Sequence, residues 1–172
     1  MIGNNTLMKR AAALIARRAH SRGELRRKLE TAQKIEDAGA IEAVLDRLDQ
    51  LNLLNDAEYA YNFAFYRIKD LGWGEEKVRK ALFDRDVAKS VVDVALDRVR
   101  KEIAPDGEDG ISDTLIEYIE SYCRKHGTPS TLKDSQKLAR RLTGRGFDEN
   151  RVIGALKRII SPEIFRHFET GD

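Results

Sequence analysis

The chain has 172 residues, 35% charged and 41% hydrophobic, with a net charge of +2, a balance that points to a soluble globular protein rather than a membrane-spanning or disordered one. A single cysteine, Cys123, excludes an internal disulfide, and His20, His126 and His167 stand too far apart to share a metal, so neither metal nor cofactor is expected. The apolar run from Ala11 to Ala16, flanked by Lys9-Arg10 and Arg17-Arg18, is too short for a signal-peptide core, which predicts a cytoplasmic protein.

A first helix is predicted near Leu7 to Ala19, a break at His20 and Ser21, and a restart through Ser21-Arg22-Gly23-Glu24. That spacing matches a capping box, in which the serine side chain accepts from a free backbone N–H and the glutamate reaches back. Asp37 is the expected N-cap of a third helix ending near Leu48, before Asn52 and Asn55. From Lys9 to Lys28 the basic residues outnumber the acids, of which Glu24 is the sole member, a local field that steers toward a polyanion or an acidic protein groove.

A second unit opens with a similar cap at Asn55 to Glu58 and an aromatic helix carrying Tyr59, Tyr61, Phe63, Phe65 and Tyr66. Its break is Gly72-Trp73-Gly74, where the indole is expected to fold over the helix junction because a large apolar ring gains most from burial. Between Ile103 and Asp113, Pro105, Gly107, Gly110 and several acids mark a linker. A third unit starts near Asp113, breaks across Gly127 to Ser130 and resumes at Leu132. Cys123 falls in its apolar pattern and reads as a small buried thiol, and Phe165 and Phe168 suggest that the C-terminal tail packs.

The apolar positions repeat. Leu25 and Leu29 precede Ile41, Val44, Leu45 and Leu48; Val78 and Leu82 precede Val92, Ala95, Leu96 and Val99; Leu138 and Leu142 precede Val152, Ala155, Leu156 and Ile159. Each set is an i, i+4 pair followed by an i, i+3, i+4, i+7 set, the stripes of two successive amphipathic helices. The predicted fold is therefore all-α: three tandem three-helix repeats at 1–52, 53–102 and 113–172, the last including the tail, with an acidic Gly/Pro linker at 103–112. Because a unit of that size buries too little surface alone, the repeats are expected to stack into an elongated, curved array.

Catalytic signatures are missing from the sequence: it holds no nucleophile elbow, P-loop, dinucleotide fingerprint or His-Glu metalloprotease helix. A non-enzymatic surface function is the expectation. Basic residues recur beside the shared apolar pair, and Arg17, Arg18, Arg26, Arg27, Arg79, Lys80, Arg140 and Arg141 are the candidate contacts. Cations that merely solvate outer helix faces are the bland alternative at any one of these positions. Arginine's flat fork of donors suits phosphate and carboxylate alike, so the partner is a nucleic acid or an acidic protein.

These blocks resemble the RecX family of bacterial RecA regulators. Ile15-Ala16-Arg17-Arg18, Ser21 and Glu24 to Leu29 are similar to the family's opening block; Val44 to Leu48, Leu53 to Asp56 and Ala60 to its link into the second repeat; Gly72-Trp73-Gly74 with Val78 and Leu82 to the second; Arg145-Gly146-Phe147 to the third. Asn55 stands where the family usually has aspartate, which keeps the cap, and Asp86 where a glycine is common. A left-handed backbone at Asp86 costs about 1 kcal/mol relative to glycine. The resemblance implies a monomeric helical arc that lies in the groove of a RecA–single-stranded DNA filament, with at most weak non-specific DNA binding and no membrane, and that inhibits ATP hydrolysis, strand exchange and co-protease function, modulating recombination, repair and the SOS response. Read from the residues alone, a helical DNA-binding module, a transcription regulator or an unrelated helical adaptor shares the architecture, although no single helix concentrates Arg, Asn and Gln as base reading wants.

Overall fold

The computed structural model describes residues 3–33, 38–104 and 110–170, and side chains within 5–31, 38–104 and 114–166. Those residues form helices and turns and no strand: α1 (Gly3–Ile15), α2 (Arg22–Gln33), α3 (Ala38–Gln50), α4 (Asp56–Lys69), α5 (Glu75–Phe83), α6 (Lys89–Ile103), α7 (Gly110–His126), α8 (Leu132–Thr143), α9 (Glu149–Lys157) and α10 (Pro162–Thr170). The all-α expectation holds, with three successive triples and a tenth helix in the tail. Asp37, Pro105, Gly107 and the side chain of Phe168 lie outside the described residues.

Helix starts are encoded locally. Ser21 Oγ accepts from the Glu24 N–H at 3.1 Å, Asn55 Oδ1 from Glu58 N–H at 3.0 Å, and Asp148 Oδ1 from Arg151 N–H at 3.1 Å, each satisfying a donor the helix leaves free. The capping box at Ser21 is only half made, because Glu24 turns its carboxylate to Arg18. α1 stops four residues earlier than its alanines and arginines predict. Residues 16–18 form a turn, and the Arg18 carbonyl receives the His20 Nδ1–H at 2.8 Å, so the propensity of Ala16 to Ala19 gives way to the packing of His20.

Helix ends recur in kind. After α5 the Val87 N–H reaches the Leu82 carbonyl at 3.1 Å and the Asp86 N–H that of Phe83 at 2.9 Å; after α8 the Phe147 N–H reaches Leu142 at 3.3 Å and the Gly146 N–H reaches Thr143 at 2.8 Å. Both are Schellman motifs, with Asp86 (φ +55°) and Gly146 (φ +85°) in the left-handed position. Asp86 thus has the left-handed backbone on which the expected cost relative to glycine was conditional.

The chain divides into two compact units, residues 1–63 with 81–95 and residues 64–80 with 96–172, and α4, α5 and α6 contribute residues to each. In unit 1 the core comprises Leu7 and Ala11 of α1, Leu25 and Leu29 of α2, Ile41, Val44, Leu45 and Leu48 of α3, and Leu54. In unit 2 it comprises Leu115 and Ile119 of α7, Leu138 and Leu142 of α8, Phe147, then Val152, Ala155, Leu156 and Ile160, closed by Phe165 of α10. Every residue of the repeated pairs Leu25/Leu29, Val78/Leu82 and Leu138/Leu142 is fully buried, worth about 1.5–3 kcal/mol per large side chain. Cys123 is half-buried against the unit 2 core rather than inside it.

Each unit also contains a junction between a helix start and one of the Schellman turns. In unit 1, Ser21 Oγ donates to the Arg85 carbonyl at 2.5 Å and Arg27 donates to the Asp84 carbonyl at 2.6 Å. In unit 2, the Gly74 N–H donates to the Arg145 carbonyl at 2.8 Å and the Glu76 N–H to the Gly146 carbonyl at 3.2 Å. Of the candidate cations, the unit 1 junction engages Arg27.

Candidate protein and nucleic-acid interface

In unit 1 the candidate arginines divide by what holds them. Arg18 is bound to Glu24 through both terminal nitrogens. Burial alone would raise the Glu24 carboxyl, but these hydrogen bonds and the nearby positive charges hold it below its ordinary range. Arg26 makes a two-pronged contact to Glu42 of α3, at 2.6 and 3.0 Å, which raises the guanidinium and lowers the carboxyl. Arg22 fans out to Glu42 and Asp46 at 2.9 and 2.5 Å and to Asp49. Arg27 spends its guanidinium on the turn after α5, donating to the Asp84 carbonyl and lying 2.8 Å from Asp86 Oδ2. Arg17 is exposed and has no carboxylate partner among the described residues.

In unit 2, Arg79 keeps 22% of its side chain exposed and lies 3.9 Å from Glu76. Lys80 is exposed, with no carboxylate partner among the described residues. Arg140, also exposed, donates to the Gln136 carbonyl at 3.3 Å. Arg141 donates to Tyr118 Oη at 2.8 Å and lies 5.6 Å from the centre of the Tyr122 ring, while Arg145 sits 4.1 Å over the Tyr118 ring. Burial would raise the Tyr118 hydroxyl, yet the Arg141 hydrogen bond and the Arg145 charge bring it below its ordinary value.

The sites are thus of two kinds. Arg18, Arg26 and Arg27 tie α2 to its surroundings, and Arg17, Lys80, Arg140 and Arg141 present charge to solvent. Relative to the buried pairs, Arg26/Arg27 and Arg79/Lys80 occupy the same two positions, and Arg140/Arg141 stand one residue later. Trp73, expected over the helix junction, is half-buried between the Arg67 guanidinium at 4.7 Å and the Lys77 ammonium at 4.4 Å.

Sequence reading missed a concave site in unit 1. An open groove of about 760 Å³ is lined by Arg10 and Leu14 of α1, Arg27, Lys28 and Thr31 of α2, and Arg85, with Glu24 and Asp84 at its walls. Arg10, Leu14 and Arg17 are spaced i, i+4, i+7 along α1 and its end, a signal for one shared face that was present in the sequence. Arg85 carried no such signal, because the turn that delivers it is fixed by contacts with α2. Arg145 was also missed: it donates to the carbonyls of Leu71 and Gly72 at 2.7 and 3.2 Å and so pins the loop before α5.

The chain is 32% identical to the regulatory protein RecX of Ectopseudomonas mendocina (strain ymp) over 161 residues, 92% of this chain and 97% of that protein. It is 32% identical to the same-named protein of Pseudomonas tolaasii over 83% of this chain and 84% of that protein. The crystal structure of RecX from Lactobacillus salivarius superposes with a TM-score of 0.73 at 16% identity, covering 90% of this chain and 95% of that one. A second crystal structure of regulatory protein RecX gives 0.72 at 19% identity, over 90% of this chain and 71% of that one. No family model matches the chain. Likeness over nearly the full length of named relatives, carried by the same helical fold, places this chain in the family of the regulatory protein RecX.

Proposed function

We propose that the protein is a non-enzymatic cytoplasmic regulator that binds RecA filaments on single-stranded DNA and lowers their ATP hydrolysis, strand exchange and co-protease activity. The 32% identity to a named RecX, aligned across 92% of the chain, supports this reading most strongly. The supporting residues are the solvent-facing cations, Arg17 in unit 1 and Lys80, Arg140 and Arg141 in unit 2, together with Arg18, Arg26, Arg27 and Arg79, each held by a partner. Weak contacts spread over several repeats gain through effective concentration when the target is itself a polymer. The repeat boundaries at 52, 102 and 112 are proposed on the same footing, as units that engage successive protomers.

The test is direct. Purified protein added to RecA hydrolysing ATP on single-stranded DNA should slow hydrolysis, and it should co-sediment with filaments but not with RecA lacking DNA. Reversal of Arg17, Lys80 and Arg140 to glutamate removes solvent-facing charge without breaking an ion pair among the described residues. That triple variant should lose most of its inhibition at unchanged helicity; equal potency removes the cations from the site. Tight, sequence-selective binding to naked duplex would instead indicate a transcription regulator.

A further inference from the structure

The unit 1 groove is unequal in its charges. Glu24 is engaged by Arg18, Arg27 is spent on Asp86 and the Asp84 carbonyl, and Lys28 lies 2.9 Å from His20 Nε2 and 3.7 Å from Glu24. Arg10, by contrast, has no carboxylate partner among the described residues. Arg85 donates to the Ala81 carbonyl at 2.5 Å and lies 4.9 Å over the Phe63 ring, and among the described residues no ion pair engages it either. Unneutralised guanidinium groups therefore accompany the half-buried Leu14 in a groove open to solvent.

Two features select among anions. A line of phosphates would run past the Asp84 carboxylate, and among the described residues no aromatic ring lines the groove to stack a base. A peptide meets neither obstacle, because its charges are discrete and separated by apolar side chains and backbone groups. A carboxylate accepts a two-pronged hydrogen bond from a guanidinium, and a leucine-sized side chain covers Leu14.

We propose that this groove captures an acidic peptide segment of the regulator's protein partner, one apolar side chain seated on Leu14 and flanking carboxylates held by Arg10 and Arg85. The identity of that partner rests on the RecA reading above; the peptide chemistry does not.

The probe is a short fluorescein-labelled peptide with a leucine between pairs of glutamates, titrated with the intact protein and read by anisotropy. Saturable binding is expected, absent when lysines replace the glutamates. Arg10→Glu should weaken it roughly tenfold, the loss of one charge-assisted contact. Thr31→Glu, which places an acid on an exposed helix position within the groove, should do the same at unchanged circular dichroism. Equal affinity in both variants, no binding by the wild type, or displacement of the peptide by oligothymidylate would overturn the proposal. Hydrolysis assays separate the two readings: inhibition of RecA without peptide binding refutes the groove alone, and peptide binding without inhibition refutes the RecA reading alone.

Discussion

The two junctions solve one packing problem in opposite ways. Ser21 and Gly74 hold equivalent positions, 53 residues apart, as do Asp86 and Gly146, 60 apart. In unit 1 the helix start stands off by one side chain: Ser21 Oγ bridges to the Arg85 carbonyl, and Arg27 closes the turn from α2. In unit 2 backbone meets backbone, Gly74 to Arg145 and Glu76 to Gly146. The need for glycine follows the point of nearest approach rather than the repeat position. It falls on Gly23 in unit 1, where an added Cβ would lie 2.3 Å from Asp86 Cβ, and on Gly74 in unit 2, where it would lie 2.0 Å from the Gly146 carbonyl oxygen.

Gly74→Ala should have the largest effect. Its methyl would strike main-chain atoms that cannot rotate away, so α5 and the turn must part and lose their two hydrogen bonds. About 3 kcal/mol of destabilisation is expected by chemical denaturation, the upper end for overpacking. A cost under about 1 kcal/mol would mean that the unit 2 junction is looser than drawn.

Gly23→Ala meets a side chain instead, and should cost about 2 kcal/mol. The obstacle is Asp86 Cβ, so Asp86→Gly ought to restore much of the loss. A double-mutant cycle should then give a coupling of at least about 1 kcal/mol, whereas additive effects would show that the two positions do not meet.

How far these features were legible depends on sequence distance. The buried pairs, the caps at Ser21 and Asn55 and the break at Gly72 to Gly74 rest on neighbours within a few residues, and periodicity exposes them. The pairing of Arg26 with Glu42, of Arg27 with Asp84 and Asp86, and of Arg145 with Leu71 spans 16 to 74 residues. No local pattern reveals such contacts, so cations that tie helices together read the same as cations that face water. For the same reason Arg17 and Lys80 were legible as charge but not as unpaired charge, and of the groove only the α1 face with Arg10 and Leu14 was legible, since Arg85 arrives from a turn far along the chain.

Asp86→Gly alone should stabilise, by roughly 0.5–1 kcal/mol. Glycine relieves the left-handed strain at φ +55°. The Arg27–Asp86 pair lost in exchange is half exposed on both sides, and such pairs contribute little. Asp86→Ala keeps the strain and drops the pair, so it should destabilise. If both substitutions weaken the protein equally, the ion pair matters more than the backbone.

The smallest effect distinguishes the junctions by pH. His20 and Trp73 occupy equivalent positions before the two helix starts, and His20 is buried, its Nδ1–H on the Arg18 carbonyl and its Nε2 accepting from Lys28 at 2.9 Å. Burial pushes the imidazole below its ordinary value, and the charges of Arg18 and Lys28 reinforce that against the Arg18 carbonyl bond. The unfolded chain then binds the proton more tightly than the native one. Stability from this group is present above the unfolded value, about pH 6.5, and is lost as pH falls through the lower native value. Acidification should lower the melting temperature, and His20→Gln should flatten that slope before the carboxylates titrate. Hydrogen exchange, corrected for its intrinsic pH dependence, should localise the loss: the Leu25 amide of α2 should lose protection on acidification while the Val78 amide of α5, behind an indole that does not titrate, keeps it.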